Sequence, residues 1–585
     1  LTRAPYLVFS HVSGDEVRSP VSLGGDSRPC LTAPTPSEMR FRLKIPPRAV
    51  LTFAIGIKPW GTAQASQVRP TGKVRFIVRA GEEAPMTEVF RREIHLARSN
   101  QWIEQSVNLN RFAGGETWLS FESTFAWAPA GGAAGMEAAS QSPPAVGLFA
   151  EPVLHDRARY REGRAVVLIS IDTLRRDHTS LYGYRRRTTP GLENLARQAV
   201  VFDDAVSTSS WTLPAHASLL TSLYPSVHGA VNLNLRLSDE LPGLPRLLKE
   251  QGFFSQAIVT HLYLARPYGF GEGFDRHFYL PETRAKEVTD RAIGFLRAKG
   301  DRDFFLFLHY YDPHWHYDPR PPYDRIFDPL YSGSTTGVWW EFKHLAPESI
   351  DPRDLQHIVA LYDGEIRFTD RQLERLFGEM KGLEVFDKAL LVVTADHGEE
   401  FLDHGGWEHQ KTLYEEQIRV PLLIKLPGSV EAGRRVKEQV SLIDVAPTVL
   451  DILGLSSPPS FQGRSLMPLL GGGDSFPRAA WSETEHTVDG SHKLALRRGA
   501  AGRKLIFSLR GDGEPPVIEL YDLRQDAVEK RDLASGAPKE VERAQTRLEH
   551  YLALAAERRA ETPPSFPVDL SPEQLDKLRA LGYVR

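Results

Sequence analysis

A chain of 585 residues, 41% hydrophobic and 25% charged, has material for two to four domains and the balance of an ordinary globular protein. A net charge of -4 gives no reason to expect a nucleic-acid partner, and no apolar run is long enough to cross a membrane. Cys30 is the only cysteine, which excludes an internal disulfide framework and a cysteine-rich metal centre. The sequence starts at Leu1 rather than Met and shows no signal segment. A processed or trimmed form, with a signal or lipid anchor removed as one option, is left open, and a periplasmic or secreted location is favoured.

Over residues 1–155, alternating stretches recur at Met39–Leu43, Leu51–Ile57, Val74–Val78 and Thr117–Glu122, and Val146–Leu154 reads as a closing strand. Period-two patterning broken by Gly and Pro predicts an antiparallel β-sandwich. The pattern resembles jelly-roll modules of the carbohydrate-binding type. Trp60, Trp102 and Trp118 are candidates to stack on a sugar, or equally core and rim residues. An accessory, shielding or dimerising role is open. Gly131–Pro144 reads as a long loop.

The pattern changes over residues 160–475. Ala165–Ile171, Phe304–Leu308 and Ala389–Thr394 are continuous apolar runs, as expected of strands covered on both faces. Helical stretches alternate with them at Leu192–Ala199, Leu244–Gln251, Ala285–Lys299 and Asp354–Phe377. Alternation of this kind predicts an α/β fold with a doubly wound parallel sheet, whose ligands bind at the carboxyl ends of the strands. Each run leads into acid or imidazole groups there: Asp172, then Asp312 to His316, then Asp396 and His397. One Asp after a strand is usually a turn or cap residue; three strand ends carrying Asp or His are a site. Carboxylate and imidazole together suit a divalent metal ion. Between the first two runs, Ser210–Thr221 reads as a helix start, with Thr212 near the cap and Pro214 in the first turn. Its backbone N–H groups attract an anion, and the Thr212 hydroxyl is placed to attack one. Pro319–Trp340 reads as a long loop bordering the substrate entrance, with Tyr310, Tyr311, Trp315, Tyr317 and Trp407 as pocket or packing residues.

Residues 476–585 form a smaller C-terminal part. Lys493–Leu496, Arg503–Phe507 and Val517–Tyr521 predict a small antiparallel sheet, and Pro538–Arg559 a charged amphipathic helix. Ser571–Gln574 is a capping box opening a last helix whose apolar stripe is Leu575, Leu578 and Leu581.

Several of these segments together carry a family likeness. Ile171–His178, Leu181–Tyr184 and Thr189-Pro190 resemble the opening of the sulfatase family of the alkaline phosphatase superfamily. Thr212–Ser222 is similar to that family's nucleophile signature. Asp396–Glu399, Asp403–Gly405, Arg419–Leu423 and Glu519–Leu523 match its later blocks. The resemblance spans about 165–533 and implies an alkaline-phosphatase-like fold and a metal-dependent hydrolase of sulfate or phosphate esters.

The departures from that signature are specific. Thr212 stands where formylglycine-type sulfatases carry the Cys or Ser that becomes an aldehyde hydrate, and Thr does not yield that aldehyde. His216 replaces the signature Arg, and His409 replaces the Lys that holds the sulfate. A site that stabilises an anionic transition state needs positive charge, and a second metal ion would restore it. The resemblance places Asp172, Thr212, Asp396 and His397 on a first metal and Asp312, His316 and His409 on a second. His216 then binds substrate, and His314 binds or protonates the leaving group. Imidazole-rich ligation favours two zinc ions, with calcium, magnesium and manganese as alternatives. The expected substrate is a small-molecule or glycan ester. A phospho-head-group transferase and a non-catalytic binding protein that keeps the fold are the competing readings.

Overall fold

The computed structural model describes residues 6–8, 20–23, 26–34, 36–45, 49–59, 72–82, 85–96, 102–127, 145–156, 164–299, 302–342, 345–471, 479–485, 491–509, 514–570 and 572. They belong to two compact units: Leu1–Gly163 with Glu250–Gly252 and Arg276–Phe278, and Arg164–Lys249 with Phe253–Asp275 and Tyr279–Arg585. The loop at Gly131–Pro144, the ring of Trp60 and the terminal helix expected after Ser571 lie outside the described residues.

The first unit is the antiparallel sandwich that the alternating stretches predict. One sheet runs Ser37–Lys44, Glu116–Trp127, Gly72–Gly81, Thr87–His95; the other runs Ile103–Asn108, Ala49–Pro59, Ala145–Asp156, Asp26–Pro34. Their inward residues make one core in which Phe53, Phe76, Phe121 and Phe149 meet, three of the pairs edge to face. Thr87–His95 is a strand that alternation did not reveal, because as an edge strand it buries only Ile94 fully. Trp102 packs over Gly56 beside Leu23, where a Cβ on Gly56 would stand 2.8 Å from the indole. Trp118 is half-buried on its strand.

The second unit is built on a seven-stranded sheet. Its strands are β1 (Ala165–Ile171), β2 (Val200–Val206), β3 (Phe254–Val259), β4 (Phe304–Tyr310), β5 (Ala389–Ala395), β6 (Arg419–Lys425) and β7 (Arg435–Ser441). The order is β7-β2-β6-β5-β1-β4-β3. β3, β4, β1 and β5 run parallel, and β6 is antiparallel to both β5 and β2. Every residue of β1, β4 and β5 is buried, which is why their sequences are unbroken apolar runs. The helices that position the site are α1 (Pro190–Ala196), α2 (Thr212–Thr221), α3 (Ala285–Lys299) and α4 (Pro352–Gly382). The fold is the alkaline-phosphatase-like, mostly parallel α/β sheet that the sequence predicts.

The C-terminal sheet has four antiparallel strands, Ala479–Glu485, His492–Arg498, Arg503–Leu509 and Val517–Asp522, followed by a helix at Pro538–Glu561. Both belong to the second unit, inside which the boundary expected near residue 475 therefore falls. Buried ion pairs fix this sheet: Lys504 sits 3.1 Å from Glu415 and 2.8 Å from Glu529, and Arg497 reaches Glu415 at 2.9 Å and Asp204 at 2.7 Å. The expected loop from Pro319 to Trp340 is irregular but held. Tyr331 stacks on His357 at 3.6 Å, and Gly337 passes so close to Tyr317 that a Cβ would lie 2.2 Å from its carbonyl oxygen.

Candidate active site

Four neighbouring strands deliver the site at their carboxyl ends. β1 leads into Asp172, whose N–H still donates to the Tyr310 carbonyl at 2.9 Å, so its carboxylate leaves the sheet at a fixed point. β5 leads into Asp396, His397 and Gly398. Gly398 is required, because a Cβ there would lie 1.9 Å from the Glu416 carbonyl oxygen. β4 carries His309 in register with Ser170, and His314 follows the strand. β3 leads into His261. Arg175 ties the loop after β1 to the loop after β5: it donates to the Glu399 carbonyl at 3.0 Å and pairs with Asp403 at 2.7 Å. Thr173 takes a φ of 53, rare for a β-branched residue, and Tyr362 holds it by donating to its carbonyl at 2.7 Å.

α2 begins at Thr212, two residues before Pro214. Trp211 is the extended N-cap, Thr212 is the first helical residue, and no side chain caps this end. The Thr212 hydroxyl is therefore not spent on a cap. It lies 3.3 Å from His397 Nε2. Since His397 Nδ1 donates to the Gly398 carbonyl at 2.9 Å, Nε2 carries the lone pair and the hydroxyl donates to it.

The carboxylates beside this pair lack partners. Asp396 Oδ1 accepts from the His397 and Thr173 N–H groups at 2.9 and 3.3 Å, which turns Oδ2 away, and Oδ2 has no hydrogen bond. Neither oxygen of Asp172 has one, nor does His309 Nε2. These atoms face imidazoles at distances too long for good hydrogen bonds. His397 Nε2 is 3.3 Å from Asp396 Oδ2 and 3.6 Å from Asp172 Oδ1, and His309 Nε2 is 3.4 Å from Asp172 Oδ2. Buried, unpartnered carboxylate oxygens are costly unless a cation lies among them. Burial, with Asp396 and Glu399 nearby, pushes the Asp172 carboxyl well up, and burial pushes Asp396 up to about 7. The imidazoles move the other way, because burial disfavours their charged forms. His216 falls to about 4, His261 to about 3, and His309, His314 and His397 fall well below the ordinary value. Neutral imidazole is the form that binds metal. The donor set thus fits a divalent ion, and three groups of ligand atoms lie within 4.8 Å of one another among the described residues: Asp172, Asp396 and His397; Asp172, His261 and His314; His216, His309 and Asp396.

Other expected site residues go elsewhere. Asp312 accepts from the Ala285 N–H at 2.6 Å, at the start of α3, and from Arg284 at 3.4 Å. His316 is half-buried, and its Nδ1 accepts from the Trp339 N–H at 2.9 Å. His409 Nδ1 faces Glu399 at 3.0 Å. None of the three belongs to a convergent ligand triad among the described residues. The spacing of Asp312 and His316 is right for two ligands, but helix capping and a loop hydrogen bond use their atoms. His216 lies fully buried beneath Thr212. Its Nδ1 donates to the Thr212 carbonyl at 2.9 Å and its Nε2 accepts from the Ser170 hydroxyl at 2.9 Å, so it holds the helix start rather than meeting a substrate. His314 does reach the site, its Nδ1 donating to the Trp315 carbonyl at 3.0 Å and its ring centred 5.1 Å from that of His409.

Sequence reasoning missed His261 and His309. His261 marks a fourth strand end, hidden because Ser255 and Gln256 interrupt the apolar run of β3. His309 sits within the run of β4 and gives no signal of its own.

The sulfatase family model matches residues 164–455, and the model of the N-sulphoglucosamine sulphohydrolase C-terminal region matches 403–557. The chain belongs to the sulfatase family. This is a family of metal-dependent hydrolases within the alkaline phosphatase superfamily, acting on sulfuric and phosphoric esters. The N-acetylglucosamine-6-O-sulfatase of Bacteroides thetaiotaomicron is 23% identical over 452 residues, 61% of this chain and 81% of that one. Mouse arylsulfatase K is 29% identical over 192 residues, 32% of this chain and 34% of its own. The multifunctional alkaline phosphatase superfamily protein PehA of Trinickia caryophylli is 26% identical, covering 49% of this chain and 72% of PehA. Among solved structures, BT4656 in complex with its substrate D-glucosamine-2-N,6-O-disulfate shares the fold at a TM-score of 0.57 and 18% identity, covering 69% and 99% of the two chains. The phosphonate monoester hydrolase of Agrobacterium radiobacter does so at 0.56 and 22%, covering 70% and 100%. In this sulfatase-family chain the four strand ends and the start of α2 converge on one buried cluster.

Proposed function

We propose that this chain hydrolyses sulfate or phosphate esters with an unmodified Thr212 as nucleophile. The observation that carries the reading is the Thr212 hydroxyl, uncommitted to capping and 3.3 Å from His397 Nε2, beside the unpartnered oxygens of Asp172 and Asp396. Asp172, Asp396, His397 and Thr212 would hold a divalent cation, with zinc favoured by the imidazoles. It would supply the charge that lowers the pKa of the Thr212 hydroxyl and offsets the anionic ester. Asp172, His261 and His314 are one group available to a second, although His261 Nδ1 already accepts from the Tyr263 N–H at 3.2 Å, so its other nitrogen would serve in that role.

The protein's own groups then divide the work. Thr212 Oγ1, its proton released to solvent, bonds to sulfur or phosphorus as the bond to the leaving oxygen breaks, and water later cleaves the Thr212 ester, restoring the hydroxyl and releasing sulfate or phosphate. The leaving oxygen needs a proton. His314 is neutral and ties its Nδ1 proton to the Trp315 carbonyl, so it is a poor donor. His409 is the better one: burial lowers it, but the charge and hydrogen bond of Glu399, together with the charges of Glu408 and Asp396, leave it above the ordinary value. His216 and Ser170 fix the start of α2.

An aromatic cluster packs beside His316, and Trp340 is its exposed member. Trp315 stacks on Trp339 at 5.8 Å and meets Trp340, which is 41% exposed, and Phe342 packs on Trp407. A sugar ring suits the open face of Trp340, and the sugar substrates named for the relatives support that class.

The test is turnover of matched aryl sulfate, phosphate monoester and phosphate diester, before and after chelation and zinc return, beside Thr212→Ala. Chelation and Thr212→Ala should each abolish turnover. Full activity in either case overturns the reading.

A further inference from the structure

The mechanism above uses His409 but not what lies behind it. Glu399 is fully buried and spends both carboxylate oxygens. Oε1 faces His409 Nδ1 at 3.0 Å, and Oε2 accepts from the Tyr317 hydroxyl at 3.0 Å. Tyr317 is itself buried among Tyr362, Phe401 and Phe342. The Glu399 backbone is fixed by Arg175, which donates to its carbonyl at 3.0 Å.

The chain at His409 is strained on both sides. Glu408 has a φ of 73 and Gln410 a φ of 80, a region that non-glycine residues seldom enter. The strain is held by outside contacts: the Gln410 N–H donates to the Ser210 carbonyl at 2.9 Å, and its carbonyl accepts from Thr484 at 2.6 Å. Two strained residues and a buried carboxylate thus converge on one ring, centred 4.5 Å from His397 and 5.1 Å from His314.

We propose that Glu399, oriented by Tyr317, is a positioning residue that holds His409 by its Nδ1–H and so turns the Nε2 edge toward the reacting ester. The inference rests on the hydrolase reading above for what His409 does, but the hydrogen-bond arrangement is testable without it. A carboxylate offers one acceptor to each of two donors. A glutamine amide in its place offers one acceptor oxygen and an NH2 donor, so while Tyr317 keeps donating to the oxygen the NH2 meets the His409 Nδ1–H and cannot accept it. Removing the tyrosine donor should therefore return the amide oxygen to His409.

The experiment measures kcat and KM on an aryl ester for Glu399→Gln, Tyr317→Phe and the double variant. The His409 Nδ1 proton is followed by NMR in each, assigned by its loss in His409→Ala. Glu399→Gln should lower kcat about 10–100-fold with little change in KM and abolish or shift the downfield proton. Tyr317→Phe should cost less. The double variant should recover most of the kcat and the proton signal, a coupling that independent structural damage would not give. A double variant no better than Glu399→Gln, or a proton signal unmoved in Glu399→Gln, overturns the inference. Where Glu399→Gln does not fold, Glu399→Asp takes its place: its shorter carboxylate must lose signal and rate together, and retention of both overturns the inference. If no ester is turned over at all, the hydrolase reading fails, and the proton signal alone decides the position of His409.

Discussion

Asp396–His397 and Asp312–His316 are both an aspartate with a nearby histidine just past a parallel strand, yet they end in different states. In the first pair Asp396 Oδ2 has no hydrogen bond and lies 3.3 Å from His397 Nε2, which accepts from the Thr212 hydroxyl, next to the equally unpartnered Asp172. The second pair is consumed: Asp312 receives the Ala285 N–H and Arg284, and His316 receives the Trp339 N–H. The residue types are alike in the two regions, although the histidine follows directly in the first and four residues on in the second. What separates a ligand from a cap is whether the fold leaves its lone pairs unsatisfied, and the backbone around each residue decides that.

The sharpest way to break this comparison is Thr212→Ala. It should cost at least about 10³-fold in kcat while metal content stays near that of the parent, measured by elemental analysis on the same samples. A smaller pair of changes sharpens it. His314→Ala should lower turnover about 10–100-fold and reduce bound metal, whereas His316→Ala should leave metal content unchanged and act mainly through the loop it anchors.

The pH dependence gives a third handle. His409 is raised in the folded protein, so the proton it donates is present at low pH and lost as pH rises through that raised value. The descending limb of kcat should lie above the ordinary histidine range of about 6.5, and His409→Ala should remove it. The smallest effect is on the stability of the metal-free protein. Asp396, pushed up to about 7, binds a proton in the folded state that the unfolded chain has already released above about pH 4. Between those values the folded state holds more protons, so stability falls as pH rises. The melting temperature of the metal-free parent should therefore fall relative to that of Asp396→Asn from pH 5 to pH 8, a comparison in which the opposing titration of the buried histidines cancels, and added zinc should remove that fall in the parent.

The sheet was legible because buried parallel strands write themselves as apolar runs, and Asp172, Asp396 and His397 because they stand where those runs stop. Thr212 was legible as a hydroxyl at a helix start, although the start itself was placed too late: a Pro in the first turn does not say which of the preceding residues is already helical. His309 was not legible, since one imidazole within β4 looks like any satisfied core histidine. Asp312 and His316 show the converse. Their spacing carries no information about Ala285, Arg284 and Trp339, which come from distant sequence and take up their atoms. Edge strand Thr87–His95 escaped because alternation reports burial, and most of its residues are not buried.

The most direct test of the central claim is bound metal in Asp396→Asn beside Asp312→Asn, measured by elemental analysis after dialysis against limiting zinc. Asp396→Asn should lose nearly all of the metal and all turnover. Asp312→Asn should keep both and lose only about 1–3 kcal/mol of stability through its cap and ion pair. Metal retained in Asp396→Asn, or lost in Asp312→Asn, would contradict the account.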